Sequence, residues 1–490
     1  MFEWLSGKLG RFYCQLGEMT GIGATAHLLR ICGKTIIADF GVSISRNGDF
    51  QVQGFPAGDF LIGHRIDLII ITHAHLDHFG AIARLVRHHP EARIIVSRLA
   101  ILAIEFMLKD SLKITREEQN RAHRLSLDIG EPIFTEDDLR NFIDSPGLIV
   151  IDLPWWLDVE NELGPDWKGW ELGFHDSGHD KGAMMSFIID PLDWRYLLTG
   201  DVCSHDQVPY IKGVMLPDRK FCGDFFDKPE RLTMITEATN GAKPMVETPE
   251  QVLARFGAKL KKVDNRGGQV LIAAFSKNRC SKLALACIEL GYSPFVDGSG
   301  RTMMRLELGD ERVDQMLKSG QLIFPDEEDR EKADAQRNAL LSGELGFHPV
   351  IAPSGTLEGG YSVSWASELL PDEKNAVIFP GYMFPDSTSK QIFEMEKGRT
   401  VKLKLWDREK RVSIPTPVNV RAEVCHLNFT SHDQQEGLLE RVRLAKPEVL
   451  IVHHCDEAAF EAFVNKVVHL PDCRRVLSGS HCKVINLDTD

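Results

Sequence analysis

Four side chains able to ligate a metal fall within six positions: His73, His75, Asp77 and His78, in the string THAHLDHFG (72–80). Neutral imidazole and carboxylate are natural zinc ligands at about 2.0–2.2 Å. Buried without partners, each would cost about 1–3 kcal/mol or more, so the four are not core filling. A loop, unlike a helix, can turn alternate side chains toward two separate ions. A lone HxH carries little weight, whereas HxHxDH is specific. The chemistry expected is hydrolysis by a pair of zinc ions.

The elements around the string are suited to position it. IDLIIIT (66–72) is a continuous apolar run and reads as a buried strand. After the string, Ala81, Ile82, Leu85 and Val86 keep helical spacing until Pro90. His88 and His89, at the end of that helix, suit its dipole and read as structural. HLLRI (27–31) and KTIIADFG (34–41) read as two strands with Gly33 in the turn, and RIIVS (93–97) as the next one. Residues 98–145 read as helix-rich. Further ligands are expected at other strand ends: His179 in SGHDKGA, Asp201 in LLTGDV and His453 in LIVHH. An aspartate such as Asp201 can bridge two cations. Asp39, closing IIADFG, is placed to accept a histidine N–H.

At 490 residues the chain exceeds one ordinary core, so two domains are expected. A second α/β pattern begins near 240, with QVLIAAF (269–275), a helix over 280–290, HPVIAPSG (348–355) and NAVIFPGY (375–382). A polar stretch follows over 395–412, then strand, loop and helix over 419–445 and the strand EVLIVHH (448–454). The division expected is an inserted domain at 240–400, flanked by 1–239 and 401–490 of the first. Net charge is −14, from 57 basic and 71 acidic residues. That argues against loose, charge-driven binding of nucleic acid, which needs a broad basic surface, though not against a nuclease with a few local cations. Ten cysteines stand singly with no CxxC pair and read as reduced, mostly buried thiols. No apolar run approaches the ~20 residues that cross a bilayer. MFEWLSGKLGRFYCQ lacks the features of a signal peptide, so a cytoplasmic protein is expected.

The succession IIADFG, THAHLDHFGA, SGHDKGA and LLTGDV resembles the motifs of metallo-β-lactamases. ITEATNG (235–241), VLIAAFSKNR (270–279), IAPSGTLEGG (351–360), AVIFPGY (376–382), LNFTSHDQ (427–434) and KPEVLIVHH (446–454) resemble the β-CASP nucleases. MLKDSLKI (107–114) and PIFTEDDL (132–139) extend the likeness over nearly all the chain, and it is strongest to the RNA-processing branch. The resemblance implies a four-layer αββα fold with an inserted α/β β-CASP domain. It implies one zinc held by His73, His75 and His179, the other by Asp77, His78 and His453, and Asp201 bridging. Glu237 matches the family's acidic residue, and His432 the histidine beside the scissile phosphate. Two departures stand out. The family has Gly and Glu after its last ligand, whereas here His454-Cys455-Asp456 follows, so His454 competes for the metal although strand phase favours His453. Ser-Ala-His-Ala-Asp becomes Thr430-Ser431-His432-Asp433-Gln434, which displaces a supporting carboxylate.

The reaction implied is attack of a metal-bridging hydroxide on a phosphodiester of single-stranded RNA, leaving a 5′-phosphate and a 3′-hydroxyl. His432 serves as general acid, Glu237 orients it, and Asp77 counts among the catalytic groups as well as the ligands. The cleft between domains is expected to take a single strand. The free N–H groups of PSGTLEGG, chiefly at Ser354 and Gly355, and the side chain of Arg279 are candidates for phosphate. Such a pocket tips the expectation slightly toward exonuclease over endonuclease action. DNA is the second candidate substrate, and an inactive RNA-binding scaffold the reading from another class. Intact ligands speak against the scaffold, and a small-molecule hydrolase has no need of residues 240–400. Self-association is left open.

Overall fold

Strands buried on both faces build the first unit, which comprises residues 1–205, 213–245 and 431–490. In Leu68–Ile71, Leu68 and Ile70 enter the same core as Ile36 and Ala38 of the neighbouring strand Lys34–Ala38, while Ile69 and Ile71 are buried on the other face. This accounts for the unbroken apolar run. The protein, seen in a computed structural model, is described over residues 10–17, 23–47, 50–124, 126–326, 328–407, 412–470, 473–479 and 483–488. Residues 1–9 and Cys482 lie outside these; the nine described cysteines are free thiols, buried or half-buried.

Two seven-stranded sheets face each other in this unit. The first runs Val484–Asn486, Arg11–Gln15, His27–Ile31, Lys34–Ala38, Leu68–Ile71, Arg93–Ser97, Leu148–Ile151. The second runs Arg475–Ser478, Val449–His453, Leu232–Glu237, Arg195–Leu198, Met184–Ile189, Glu171–Asp176, Trp155–Trp156. Tyr13, Leu29 and Ile70 from one sheet meet Phe174, Tyr196 and Ile451 from the other in a shared core. Helices Gln435–Ala445 and Glu457–Val467 cover the outer face of the second sheet, through Leu438, Val442, Phe463 and Val467. Helix Arg98–Arg124 lies against strands Arg93–Ser97 and Leu148–Ile151 of the first. The result is the αββα arrangement. No helix among the described residues is long and apolar enough to cross a membrane.

The second unit comprises 246–430 together with 206–212, so it is larger than the 240–400 expected. Its five-stranded sheet is Phe295–Val296, Val350–Ala352, Val270–Ala273, Ala376–Phe379, Glu423–His426, all parallel. Because Glu423–His426 pairs with Ala376–Phe379, residues 401–430 belong here and not to the closing part of the first unit. The stretch 395–412 is also corrected: it carries the strand Thr400–Asp407, paired antiparallel with Val412–Asn419. Segment 206–212 joins this unit through Tyr210, whose hydroxyl donates to Glu307 Oε2 at 2.9 Å, and Gln207, which accepts from Lys282 Nζ at 3.2 Å.

Candidate metal centre

Parallel strands deliver the site. Lys34–Ala38 and Leu68–Ile71 are parallel neighbours in one sheet, as are Arg195–Leu198, Leu232–Glu237 and Val449–His453 in the other. Their carboxyl ends therefore lead to Asp39, His73, Asp201, Glu237 and His454. Asp39, in left-handed backbone at φ 61°, accepts from the Thr72 N–H and hydroxyl at 2.8 and 2.7 Å and from His78 Nδ1 at 2.8 Å. The ligand string is pinned against the Asp39–Gly41 turn: Phe40 N donates to His78 O at 2.7 Å, and Thr25 N to Asp77 O at 2.7 Å. A Cβ on Gly41 would stand 1.8 Å from the Asp77 carbonyl oxygen, so only glycine permits this approach.

Hydrogen bonds on the far ring nitrogens assign the tautomers. His73 Nδ1 donates to Thr72 Oγ1 at 3.0 Å, and His179 Nδ1 to the Ser431 carbonyl at 2.8 Å. Their Nε2 lone pairs converge on His75 Nδ1, at 3.0 and 3.1 Å. On the other side, His454 Nδ1 donates to Thr239 Oγ1 at 2.9 Å, and His454 Nε2 stands 3.1 Å from Asp77 Oδ2. Asp201 Oδ2 lies 3.5 Å from the Nε2 of both His73 and His78, and 3.6 Å from that of His179. His78 Nε2 and Asp201 Oδ1 are buried with no hydrogen-bond partner. Convergent lone pairs and buried carboxylates, with donors directed only outward, repel one another unless a cation sits among them. The donor set therefore fits two divalent ions: His73, His75, His179 and Asp201 in one group, Asp77, His78 and His454 in the other.

The electrostatics match. Burial first, then the neighbouring imidazoles, holds His73 and His179 well below the ordinary histidine range, hence neutral. Burial also disfavours charge on His78, but Asp201, Asp39 and Asp77 outweigh it and raise the ring well above that range. Burial works to raise Asp201, while His454, His78 and His432 bring its carboxyl well below the usual carboxylate range. Positive charge is thus stabilised where the carboxylates gather.

His453 is corrected. Its strand phase places it on the face of Ile451, within the core between the sheets, its ring centroid 4.2 Å from that of His27. His454, one residue past the strand and at φ 52°, turns instead to Asp77. Burial, and then the rings of His78 and His454, pushes His27 down to about 3.

Glu237 is fully buried and accepts from Val202 N at 3.0 Å, Thr239 N at 3.1 Å and His432 Nδ1 at 2.8 Å. The other ring nitrogen of His432 faces the cluster, 3.9 Å from Asp201 Oδ2, and its side chain keeps 20% of its surface exposed. Asp433, next in sequence, is engaged by Ser204 N at 2.6 Å and by Arg441 at 2.7 Å. With that carboxylate taken, the neighbouring Cys203, His205 and Asp433 do not make another ion site. Arg279, Ser354 and Gly355 belong to the second unit. Arg279 and Gly355 line a recess with Phe275, Phe379 and Tyr382, while the Ser354 hydroxyl pairs with that of Thr356 at 2.9 Å. Thr72, Thr239 and Ser431, which fix three imidazoles, were not singled out in the sequence; only their places near His73, Glu237 and His432 in the motifs hinted at them.

Known proteins agree with this architecture. The metallo-beta-lactamase superfamily matches residues 19–202, and the Beta-Casp domain matches residues 282–392. "Probable RNase MJ4" of Methanocaldococcus jannaschii is 24% identical over 450 residues, 90% of this chain and 92% of the relative. "Transcription termination factor FttA" of the same organism is 26% identical over 495 residues, 96% of this chain and 70% of the relative. "Endoribonuclease YSH1" of Eremothecium gossypii is 23% identical over 471 residues, 92% of this chain and 56% of the relative. A crystal structure of a protein of unknown function from Enterococcus faecalis shares the fold, at a TM-score of 0.57 and 12% identity, covering 98% of this chain and all of that one. With both domains matched in order, the chain carries a metallo-β-lactamase domain and a β-CASP domain, and the relatives it is similar to are RNA-processing β-CASP proteins.

Proposed function

We propose that this chain is a zinc-dependent ribonuclease that hydrolyses phosphodiester bonds of single-stranded RNA, leaving a 5′-phosphate and a 3′-hydroxyl. The observation that carries this is the pairing of a two-ion donor set with a partly exposed histidine, His432, held by buried Glu237. His73, His75 and His179 would hold one ion and Asp77, His78 and His454 the other, with Asp201 between them. When bound, such a pair supplies a water of lowered pKa and draws charge from the phosphoryl oxygens. The far-nitrogen bonds from Thr72, Ser431, Asp39 and Thr239 keep the ligand rings oriented, so little reorganisation accompanies the reaction. His432 gives a proton from Nε2 to the departing 3′-oxygen, a role worth ~10²–10⁴-fold. Glu237 fixes that ring through Nδ1. Arg279, Ser354 and Gly355 are the candidates for a terminal phosphate and tip the reading slightly toward exonuclease action, while the names of the relatives favour RNA over DNA.

The test uses pure protein, 5′-labelled RNA and matched single-stranded DNA, each with and without chelator, beside elemental analysis. Expected are about two zinc ions per chain, chelator-sensitive cleavage of RNA and early release of mononucleotide. Mid-length fragments would mean endonuclease action. Equal or faster cleavage of DNA would defeat the RNA assignment, and metal-free protein that still cleaves would defeat the mechanism.

A further inference from the structure

The segment from Lys397 to Arg421 is chemically unlike the rest of the chain. It carries eight Lys or Arg against Asp407 and Glu409, a net +6 within a protein of net −14. Its two strands, Thr400–Asp407 and Val412–Asn419, form a sheet of their own. Side chains alternate across a strand, so the hairpin has two distinct faces. On one, Val401, Leu403 and Val418 are buried in a core with Trp365, Ala366 and Leu369 of helix Tyr361–Leu369. On the other lie Lys402, Lys404 and Trp406, whose cross-strand partners are Pro417, Pro415 and Ser413. Trp406 is 49% exposed, Lys402, Pro415 and Pro417 are exposed, and Lys404 is half-buried.

The half-exposed indole is apolar surface that a partner can cover. The row beside it narrows what that partner is. Lys402 and Lys404 repeat every second residue, about 6.8 Å apart along the strand, comparable to the step between successive phosphates of an extended single strand. Trp406 continues the same line and offers a stacking plane to any base, since every base has a π-face. Pro415 and Pro417 lack N–H groups, so Val412–Asn419 has no regular row of donors with which to recruit a strand from another protein.

We propose that this face of the hairpin is an auxiliary binding surface for single-stranded nucleic acid, with phosphates on Lys402 and Lys404 and a base stacked on Trp406. The choice of RNA as its occupant rests on the ribonuclease reading; the phosphate-and-base chemistry does not.

The experiment measures anisotropy of a labelled, hydrolysis-resistant phosphorothioate oligoribonucleotide of about 15 nucleotides with the full chain across a salt series. Lys402→Gln with Lys404→Gln should weaken binding ~10-fold and flatten the slope of log affinity against log salt by about 1.4, two contacts at ~0.7 each. Trp406→Ala should weaken it ~10-fold with the slope unchanged, and Trp406→Phe should restore most of the loss. Lys402 and Trp406 are exposed and Lys404 is half-buried, outside the apolar core, so thermal melting should stay close to the parent and separate lost binding from lost folding. Parental affinity and slope in the lysine pair and in Trp406→Ala would overturn the proposal. An equal loss on matched DNA would overturn only the choice of RNA. A parent chain that binds but never cleaves RNA, with the variants still weakened, would sink the nuclease reading and leave the hairpin standing.

Discussion

Replacing His454 by alanine separates two assignments of the last ligand. In the structure His454 Nε2 stands 3.1 Å from Asp77 Oδ2, with its far nitrogen held by Thr239, while His453 lies in the core beside His27. Loss of a group that merely supports a ligand lowers metal affinity about 10–100-fold, so loss of a ligand should cost at least the upper figure, about 2.7 kcal/mol. The Asp77–His78 side should lose its ion first, because three groups there become two, whereas His73, His75, His179 and Asp201 remain. His453→Ala should do the opposite. It deletes a buried ring and leaves a cavity against His27, a cost of about 2–5 kcal/mol in stability with nearly full metal content. The assay pairs elemental analysis with titration against a competing chromophoric chelator, and follows unfolding of both variants. Retention of both ions by His454→Ala, with loss of one from His453→Ala, would refute the placement of these two side chains.

Three further outcomes are expected. His432→Ala should keep both ions and its melting temperature while losing two or more orders of magnitude in turnover, and Glu237→Gln should share much of that loss because the ring keeps an acceptor but loses the negative charge beside it; stopped-time assays beside elemental analysis check both. Gly41→Ala forces a Cβ to within 1.8 Å of the Asp77 carbonyl oxygen, so it should destabilise the fold by at least about 1–3 kcal/mol and weaken metal binding together, read by unfolding and chelator titration. In the second unit, burial works to raise the Glu423 carboxyl, but Lys259 and Arg266 outweigh it and hold it at about 2. A depressed carboxylate stabilises above its ordinary range and loses that contribution as pH falls toward 2. Glu423→Gln should therefore cost under ~1 kcal/mol at neutral pH, given its partial exposure, and progressively less in acid, measured by amide exchange in strand Glu423–His426.

How far the sequence could be read depended on whether a residue's role was local. His73, His75, Asp77 and His78 were legible because four ligand types in six positions have no core explanation. Asp39, His179 and Asp201 followed from a simple rule, that polar residues just past buried strands face a common end. The same rule misled at His453 because alternation places it on the Ile451 face, whereas His454 reaches Asp77 through a left-handed turn invisible in the string LIVHH. Gly41 was illegible for a related reason: its neighbour, the Asp77 carbonyl, lies 36 positions away and is met only after folding. The strand Thr400–Asp407 was hidden by its composition. Lysines at alternate positions made it look like a polar connection, although Val401, Leu403 and Leu405 kept the period of two throughout.

The two carboxylate–imidazole pairs of the centre show why residue type alone cannot assign catalytic roles. Asp39 takes three donors, from Thr72 N, the Thr72 hydroxyl and His78 Nδ1. Glu237 likewise takes three, from Val202 N, Thr239 N and His432 Nδ1. In chemistry the pairs are near duplicates, and each points its other ring nitrogen toward Asp201 Oδ2, at 3.5 Å for His78 and 3.9 Å for His432. What differs is access. The His78 side chain is fully buried among other donors, while that of His432 keeps 20% of its surface exposed. A group that must meet the oxygen of an incoming substrate needs that opening, and a group that holds an ion is better without it. Elemental analysis of the two alanine variants puts the distinction to measurement: His78→Ala should lose an ion, and an ion lost from His432→Ala would make that residue a ligand too.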